Sequence, residues 1–490
     1  MKQKILEYLT ANSFTQKFII MKPLTKPSFK KWILVTSISI FIFSACQKKI
    51  DQPATQEEIA SAANPNSQHG HLKQTKTFSS DVAIHWMNMQ VRQMKANPTV
   101  TGNVIFARQY AYSGIALYEA VVPGMPAYQS ISSQLNGLSG LPQTISGVGY
   151  HWAASANAAL AFMNKMLFPN ASVANKTAMD SLENALLSAY SNETSEVIIN
   201  RSVEFGKAVA QKVWDWANTD GYNEGFANDF NKAFTYSPDV TPGAHLWVPP
   251  AAWSIQTAPY WKNVRPIISG SGVDAQPGPP PAYSTDHTSA FYLMVKEVYD
   301  SKPVNNTTPE AMMALWWRDV PGTTTSGHFV SVLKQILEKE MPGLDVAALA
   351  YSMGGIMVFD ASLSTWQTKF SYNLVRPVTY IISQIGAWSP LLGSTPPHPE
   401  YPSAHSSLSA ANAEAMTIVF GDNYAFSDNT FEYLWPGSTR YYSSFRAMAD
   451  EAGLSRLYGG IHYRYSIDVG LWQGRKVAQN INNTLKFLKE

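Results

Sequence analysis

The sequence predicts an all-α protein with long loops rich in proline and glycine. Apolar residues recur at intervals of three and four over many segments, as they do along one face of a helix. Sustained alternation with a period of two, which would indicate strands, is scarce. Prolines and glycines are concentrated at about 221–285, which includes QPGPPPAY. That composition favours long loops over a helical body.

The helices can be placed in order from their periodicity and their ends. The first, at 79–96, starts with a Ser and Asp cap, and the one at 194–221 ends at a glycine. The other predicted helices lie at roughly 101–122, 146–167, 171–191, 288–300, 309–319, 326–341, 344–370, 404–420 and 466–488. The chain shows no internal repeat at a fixed period.

Composition and charge limit the classes of function. The chain has 490 residues, 45% hydrophobic and 15% charged, which is enough apolar content for a large core. Its formal net charge is only +2. It therefore lacks a large uniform basic field, and nucleic acid is not an expected partner.

The N-terminus has the features of an export signal. Lysines precede an apolar run, Trp32 to Phe43, which is too short for a comfortable membrane span. Small residues then stand before Cys46, the single cysteine of the chain, and this arrangement resembles a bacterial lipoprotein box. The resemblance implies cleavage before Cys46, lipidation of its thiol and a lipid anchor in the bacterial cell envelope, at the outer membrane or cell surface. The alternative is a buried free cysteine.

The organisation of the chain follows from this leader. Residues 1–45 are predicted to be a lipoprotein signal peptide. Residues 46–76 contain few large apolar side chains and are predicted to be a flexible tether. Residues 77–490 remain for the helical domain. With one cysteine, the chain has no disulfide framework of its own.

One short stretch, HPEYPSAHS at 398–406, combines two histidines, two prolines, a carboxylate and hydroxyl groups. Residues before proline avoid the helical conformation, so an extended turn is expected before the helix at 404–420. Ser403 then falls at the N-cap or in the first turn, where free N–H groups and the helix dipole favour an anion. His405 is expected close to that anion. Taken alone, the motif also fits a capped helix with a surface histidine.

Two further segments supply cations and another histidine. WQTKFSYNLVRP places Lys369 and Arg376 seven residues apart, which predicts that both lie on one face near the end of a helix. SRLYGGIHYRYSID places Arg456 and His462 around a Gly-Gly pair that permits close approach. Each segment alone is compatible with a solvated face or a structural histidine. Together they suit an oxyanion with several negative charges.

These three blocks resemble the pattern shared by the vanadium-dependent haloperoxidases and the type 2 phosphatidic acid phosphatases. The matching positions are Lys369…Arg376-Pro377, Pro402-Ser403-Ala404-His405 and Ser455-Arg456…His462. The spacing inside each block is kept up to His462. The resemblance implies the helical-bundle fold of that superfamily, with the active-site blocks inside 360–470.

The resemblance also implies a cofactor, substrates and roles for individual residues. Vanadate would be bonded to a ring nitrogen of His462, which is thus the implied metal ligand. Its oxygens would be held by Lys369, Arg376, Ser403, Ala404 and Arg456. Hydrogen peroxide and halide would be the substrates, with His405 as acid or base and Lys369 polarising the peroxide. The resemblance leaves open an organic acceptor and the oligomeric state.

Two positions depart from the pattern. Ala404 replaces the usual glycine, and its N–H remains available if the backbone there needs no positive φ. Ser466 stands four residues after His462, where the family has an aspartate. Asp468 would lie about 120° away around a helix and does not simply replace that carboxylate. The orientation of His462 is therefore left open.

Two aromatic positions favour one branch of the superfamily. Trp366 resembles an aromatic residue that haloperoxidases place beside the cofactor. His398 falls where bromoperoxidases have a second histidine and chloroperoxidases a phenylalanine, although it also fits a loop histidine without a role. The body shows no obvious membrane span, which argues against an integral-membrane lipid phosphatase.

The resemblance therefore favours oxidation of halide by hydrogen peroxide to hypohalous acid, with bromide or iodide favoured over chloride. One alternative is a soluble acid phosphatase that hydrolyses phosphomonoesters through a phosphohistidine at His462. The other is an envelope-anchored binding protein whose catalytic residues have decayed.

Overall fold

The structure is a computed structural model of the chain. The residues that it describes are 73–96, 103–223, 258–318 and 325–490. The predicted signal peptide, Cys46 and nearly all of the predicted tether lie outside them. The last residues of that tether already belong to the body, because Thr75 is buried and its hydroxyl donates to the Val121 carbonyl oxygen at 2.7 Å.

Within the described residues the chain forms thirteen α-helices and one two-stranded antiparallel sheet. The helices are α1 (Asp81–Ala96), α2 (Asn103–Val121), α3 (Trp152–Leu167), α4 (Val173–Ser191), α5 (Glu196–Ala217), α6 (Ala290–Asp300), α7 (Pro309–Trp316), α8 (Thr325–Glu340), α9 (Leu344–Tyr372), α10 (Pro377–Gln384), α11 (Ala404–Phe420), α12 (Phe445–Tyr458) and α13 (Arg464–Thr484). The strands are β1 (Phe426–Asp428) and β2 (Arg440–Tyr442). The prediction of a helical fold is confirmed.

The eleven predicted helices are all present, with their ends shifted by a few residues. Helices α10 and α12 and the hairpin of β1 and β2 were not predicted. The strands have three residues each, which is too short for an alternating pattern to show. Helix α12 has a weak apolar stripe because it buries polar residues, including Ser455 and Arg456.

Helix α9 is the core of the body. Its 29 residues include a window with a mean hydropathy of 1.5, so by length and composition it is apolar enough to cross a membrane. Because 89% of that window is buried inside the protein, it is a core helix. The part of the body that the structure describes thus contains one span-like segment, which was not predicted from the sequence. Helix α9 packs tightly on α2, where a Cβ on Gly355 would lie 2.6 Å from the Cα of Ala111.

Helices α11 and α13 also pack closely, and this contact positions the candidate site. A Cβ on Gly474 of α13 would overlap the carbonyl oxygen of Ser407 on α11, and one on Gly470 would lie 2.6 Å from the Ser403 carbonyl oxygen. Only glycine permits such an approach of two backbones. The Ser403 N–H donates to the Ser466 carbonyl oxygen at 3.0 Å, which joins the starts of the two helices.

The described part of the predicted loop region, 258–285, contains only a single 3-10 turn, Trp261–Asn263. The rest of that prediction lies mostly outside the described residues. A buried carboxylate on α9 holds the loop in place. Asp360 accepts hydrogen bonds from the N–H groups of Ile267 at 2.7 Å and Ile268 at 3.0 Å.

Candidate active site

Helix α11 starts with the cap that the sequence predicted. Ser403 is the N-cap residue, and its Oγ accepts from the Ser406 N–H at 3.3 Å. A hydroxyl that accepts in this way keeps its own proton to donate. Ala404 is the first helical residue and is not among the residues with a positive φ. Alanine therefore fits this position without strain, and its N–H remains one of the free donors at the helix start.

Lys369 and Arg376 meet at the site, but the prediction that they share one helical face is wrong. Helix α9 ends at Tyr372, and Asn373 turns the chain in the left-handed conformation, with φ 47° and ψ 41°. Arg376 is the N-cap residue of the next helix, and Pro377 is its first residue. The left-handed turn and a short extended segment therefore bring the two cations together.

The ammonium of Lys369 is fully buried and is surrounded by backbone carbonyl groups. Its Nζ donates to the carbonyl oxygens of Pro399 at 2.9 Å, Glu400 at 3.1 Å and Pro402. Burial, followed by the positive charge of Arg376, lowers the pKa of Lys369 well below its usual value. All three donor positions of the ammonium are used in these contacts.

Arg376 lies between the two histidines of the site. Its Nη1 donates to the Ile461 carbonyl oxygen at 2.8 Å and lies 3.2 Å from Nε2 of His462. Its Nη2 lies 3.0 Å from Nδ1 of His398. Because arginine only donates, both ring nitrogens accept. Neither Arg376 nor Lys369 forms an ion pair with a carboxylate among the residues that the structure describes.

The carboxylate beside His462 belongs to Glu400, which the sequence analysis did not single out. Its Oε1 lies 2.8 Å from Nδ1 of His462 and accepts from the Tyr463 N–H at 2.9 Å, while Oε2 accepts from the Ser466 hydroxyl at 2.6 Å. These contacts assign the ring proton to Nδ1. Nε2 therefore carries the lone pair of the ring, which accepts from Nη1 of Arg376 in this structure.

Burial determines the protonation of Glu400 and His462. It raises the pKa of Glu400 to about 7, although Arg376 and the hydrogen bonds to the carboxylate act in the opposite direction. Burial, followed by the charges of Arg376 and Lys369, lowers the pKa of His462 well below its usual value. His462 is therefore a neutral imidazole, which is the form that binds a metal.

The other predicted residues lie around this centre. His398 is buried against Trp366, with their ring centroids 5.2 Å apart. The Trp366 ring centroid also lies 5.9 Å from Nζ of Lys369. His405 is half-buried in the first turn of α11, close enough for its charge to lower the pKa of His398. Trp366 thus lies beside both His398 and Lys369, and His405 lies nearby at the start of α11.

Arg456 reaches the site from the last turn of α12. It is buried, and its Nη2 donates to the Ala314 carbonyl oxygen at 3.3 Å. Its charge also helps to lower the pKa of His462. Gly460, with φ 76°, then turns the chain toward that histidine, and a Cβ there would lie 2.7 Å from the Trp388 ring. The predicted role of the Gly-Gly pair is confirmed.

The donor set fits vanadate. Two buried cations without a carboxylate partner, a helix N-terminus and a hydroxyl suit a multiply charged oxyanion. The neutral Nε2 of His462 adds the single ligand that a metal centre in such an anion requires.

Comparisons with known proteins agree with this geometry. A family model described as the VCPO second helical-bundle domain matches residues 382–489. The crystal structure described as that of the first bacterial vanadium-dependent iodoperoxidase is 32% identical in sequence, with a TM-score of 0.75. The match covers 84% of this chain and 98% of that chain. The chain belongs to the vanadium-dependent haloperoxidases.

More distant structures share the fold of this haloperoxidase. The holo-type bacterial vanadium-dependent chloroperoxidase is 16% identical, with a TM-score of 0.58, and the match covers 79% of this chain and 94% of that one. The apo-type structure is 18% identical, with a TM-score of 0.58, and the match covers 80% and 97%. Among curated protein sequences there is no match. The predicted superfamily and enzyme class are confirmed, in favour of the haloperoxidase branch over the phosphatases.

Proposed function

We propose that this haloperoxidase oxidises iodide and bromide, in preference to chloride, with hydrogen peroxide to hypohalous acid. The observation that carries the proposal is the state of His462. Glu400 accepts a hydrogen bond from the Nδ1–H of this neutral ring, which leaves the lone pair on Nε2 to bind vanadium among buried cations. The naming of the 32% identical relative as an iodoperoxidase supports iodide as a substrate. Iodide is also the easiest of the three halides to oxidise.

The residues that would hold vanadate lie on four structural elements and their connections. They are His462 as the metal ligand, with Lys369, Arg376, Ser403, Ala404 and Arg456 around the oxygens. When bound, vanadate supplies the electrophilic centre at which hydrogen peroxide becomes reactive toward halide. The Ser403 hydroxyl and the Ala404 N–H lie at the positive end of α11, where an anion is favoured.

Lys369 and Arg376 act mainly through charge. In a dry site a positive charge stabilises an anion far more than it does in water. The Lys369 ammonium donates hydrogen bonds to three carbonyl oxygens. A direct hydrogen bond from it to peroxide would require exchange of one of these contacts. The proposed role of Lys369 is thus to polarise the peroxide through its positive charge, which attracts the electron density of the peroxide toward the buried side of the site.

The two remaining histidines have different proposed roles. His405 is only half-buried, in the first turn of α11, and would move a proton to or from the hydrogen peroxide substrate. His398 is held by Arg376 and packed on Trp366. It would contact the halide side of the site.

The test is reconstitution of the purified protein with orthovanadate, hydrogen peroxide and iodide, bromide or chloride. We expect vanadate-dependent halide oxidation, fastest with iodide, and competition by inorganic phosphate. His462→Ala should abolish it, whereas His287→Ala, at an exposed position, should not. Phosphomonoester hydrolysis without vanadate, in the absence of halide oxidation, would overturn the proposal.

We also propose that a lipid on Cys46 anchors the enzyme in the bacterial cell envelope. The lipobox-like sequence around this cysteine supports the anchor. Cys46→Ser removes the thiol that lipidation requires. In a detergent-phase partition, the wild-type protein should enter the detergent phase and the variant the aqueous phase. Equal partition of the two would contradict the anchor.

A further inference from the structure

We infer that Glu400 positions the vanadium-binding histidine, in the place of the aspartate that the family pattern has at position 466. This inference rests on the proposed function, because it assigns His462 as the ligand. Glu400 lies in the turn before α11, whereas the family's carboxylate would lie on α13 together with the histidine's own segment.

The need for such a residue is visible at α13. Ser466 occupies the position four residues after His462, and a serine hydroxyl is too short and too weak an acceptor to replace a carboxylate there. Asp468, the next acid along the helix, is exposed and thus points away from the buried site. Without another carboxylate, the Nδ1 proton of His462 would be buried without an anionic acceptor.

Glu400 supplies that acceptor from the opposite side. Its side chain is fully buried, and one oxygen accepts hydrogen bonds from both the Nδ1–H of His462 and the Tyr463 N–H. The other oxygen accepts from the Ser466 hydroxyl at 2.6 Å. The Ser466 hydroxyl is therefore a suitable donor to the carboxylate of Glu400, which comes from another segment of the chain. An aspartate at position 466 would instead place two carboxylates together.

The backbone of Glu400 is fixed as firmly as its side chain. Its N–H donates to the Leu374 carbonyl oxygen at 3.0 Å, and its own carbonyl oxygen accepts from Nζ of Lys369 at 3.1 Å. One residue thus joins the segment that carries the two cations to the histidine on the far side of the site. A rigid acceptor of this kind fixes both the tautomer and the direction of Nε2.

The test uses Glu400→Gln, which keeps the shape and removes the charge. The amide oxygen can still accept from the two N–H groups, so the variant should fold. Orthovanadate and inorganic phosphate binding are measured separately by calorimetry, without peroxide or halide. We expect vanadate affinity to fall by about 10- to 100-fold, as for other lost partners of metal-binding histidines. Glu414→Gln, at a largely buried glutamate of α11 that is paired with Arg446, is the matched control and should bind like wild type.

A rescue variant separates positioning from general stability. The double variant Glu400→Gln/Ser466→Asp returns a carboxylate to the family position, and it should recover at least about tenfold of the lost affinity. The Nδ1 proton of His462 gives a second readout in vanadate-free protein labelled at histidine. A carboxylate acceptor moves its proton resonance downfield, so the signal should shift upfield in Glu400→Gln and return in the double variant.

The outcomes distinguish this inference from the proposed function. Wild-type affinity in Glu400→Gln, with an unchanged Nδ1 proton resonance, would overturn the role of Glu400 and leave the proposed function intact. Failure of the wild-type protein to bind vanadate would instead overturn the proposed function. If the double variant does not fold, the resonance of the single variant still decides, because an unchanged signal there would contradict the inference.

Discussion

Nη2 of Arg376 lies 3.0 Å from Nδ1 of His398, and it also donates to the carbonyl oxygen of the same residue at 2.9 Å. Nδ1 also lies 3.2 Å from the Pro399 carbonyl oxygen, a contact that would need a proton on Nδ1. The shorter contact is with the guanidinium, which only donates, so Nδ1 accepts and the ring proton lies on Nε2. Burial, followed by the charges of Lys369 and Arg376, lowers the pKa of His398 well below its usual value. His398 is therefore a neutral donor held at a fixed distance from the cation that also contacts His462.

His398→Phe should change halide preference more than it changes vanadate binding. The substitution removes the ring acceptor, but Nε and Nη2 of Arg376 keep their bonds to the backbone carbonyl of the residue. We expect the affinity for vanadate to fall by less than about tenfold, or ~1.4 kcal/mol. The relative turnover of iodide, bromide and chloride, measured from pH 5 to 8, should shift. An affinity loss as large as that of His462→Ala would show that His398 contacts the cofactor directly.

His405→Ala should reduce turnover with every halide. A positioned acid or base contributes on the order of 100-fold or more to the rate of proton transfer. Because His405 is only half-buried at the start of α11, its loss should leave the melting temperature and vanadate affinity near those of wild type. Steady-state turnover at saturating peroxide tests this, with His287→Ala as control. A loss confined to one halide would assign the residue to halide selection instead.

The sequence was sufficient for the features that depend on local chemistry. The Ser403 cap, the start of α11 and the close approach at the Gly-Gly pair all follow from residue types at adjacent positions. The path from Lys369 to Arg376 was predicted wrongly, because helical spacing was weighed above two local signals. Asparagine, here Asn373, is one of the few residues that adopt the left-handed conformation at a helix end, and a residue directly before proline, here Arg376, is disfavoured in a helix.

Glu400 shows a different limit of sequence analysis. Its partner His462 lies 62 residues away in the chain, so neither motif spacing nor periodicity connects them. The available signal was a carboxylate between two prolines beside the cap of α11, in a segment that proves to be buried. The missing aspartate at Ser466 indicated that a carboxylate was needed, but only the packing of α11 on α13 shows where it comes from.

Asp360 should make stability depend on pH. Burial raises the pKa of Asp360 in the folded protein to about 7, above its ordinary value of 3.8. Between about pH 4 and 7 the folded state therefore holds a proton that the unfolded state has lost. The contribution of Asp360 to the free energy of unfolding is therefore highest at the acid end of that window and falls as pH rises through it.

The measurement is denaturant unfolding of wild type and Asp360→Asn from pH 4 to 7. The asparagine cannot titrate, so the difference in unfolding free energy between the two proteins should shrink as pH rises. The variant should be less stable at pH 4, because Ile267 and Ile268 donate to different oxygens of Asp360 and the amide nitrogen of asparagine cannot accept in the place of one of them. The pKa values of buried Glu119 and Glu400 are also raised to about 7. Their contributions are the same in both proteins and cancel in the difference. Parallel curves would show that Asp360 is ionised throughout this range.

Gly474→Ala should disturb the site from a distance. The new Cβ on α13 would overlap the carbonyl oxygen of Ser407, and a backbone atom cannot move aside as a flexible side chain can. Alanine favours a helix over glycine by about 1 kcal/mol, but overpacking of this kind costs about 1–3 kcal/mol or more and forces α11 away from α13. That shift would strain the bond from the Ser403 N–H to the Ser466 carbonyl oxygen. We therefore expect a lower melting temperature together with weaker vanadate binding. Gly278→Ala, where a Cβ meets nothing within 4 Å, should change neither, and a Gly474→Ala variant with wild-type values of both would show that the helix contact does not position the site.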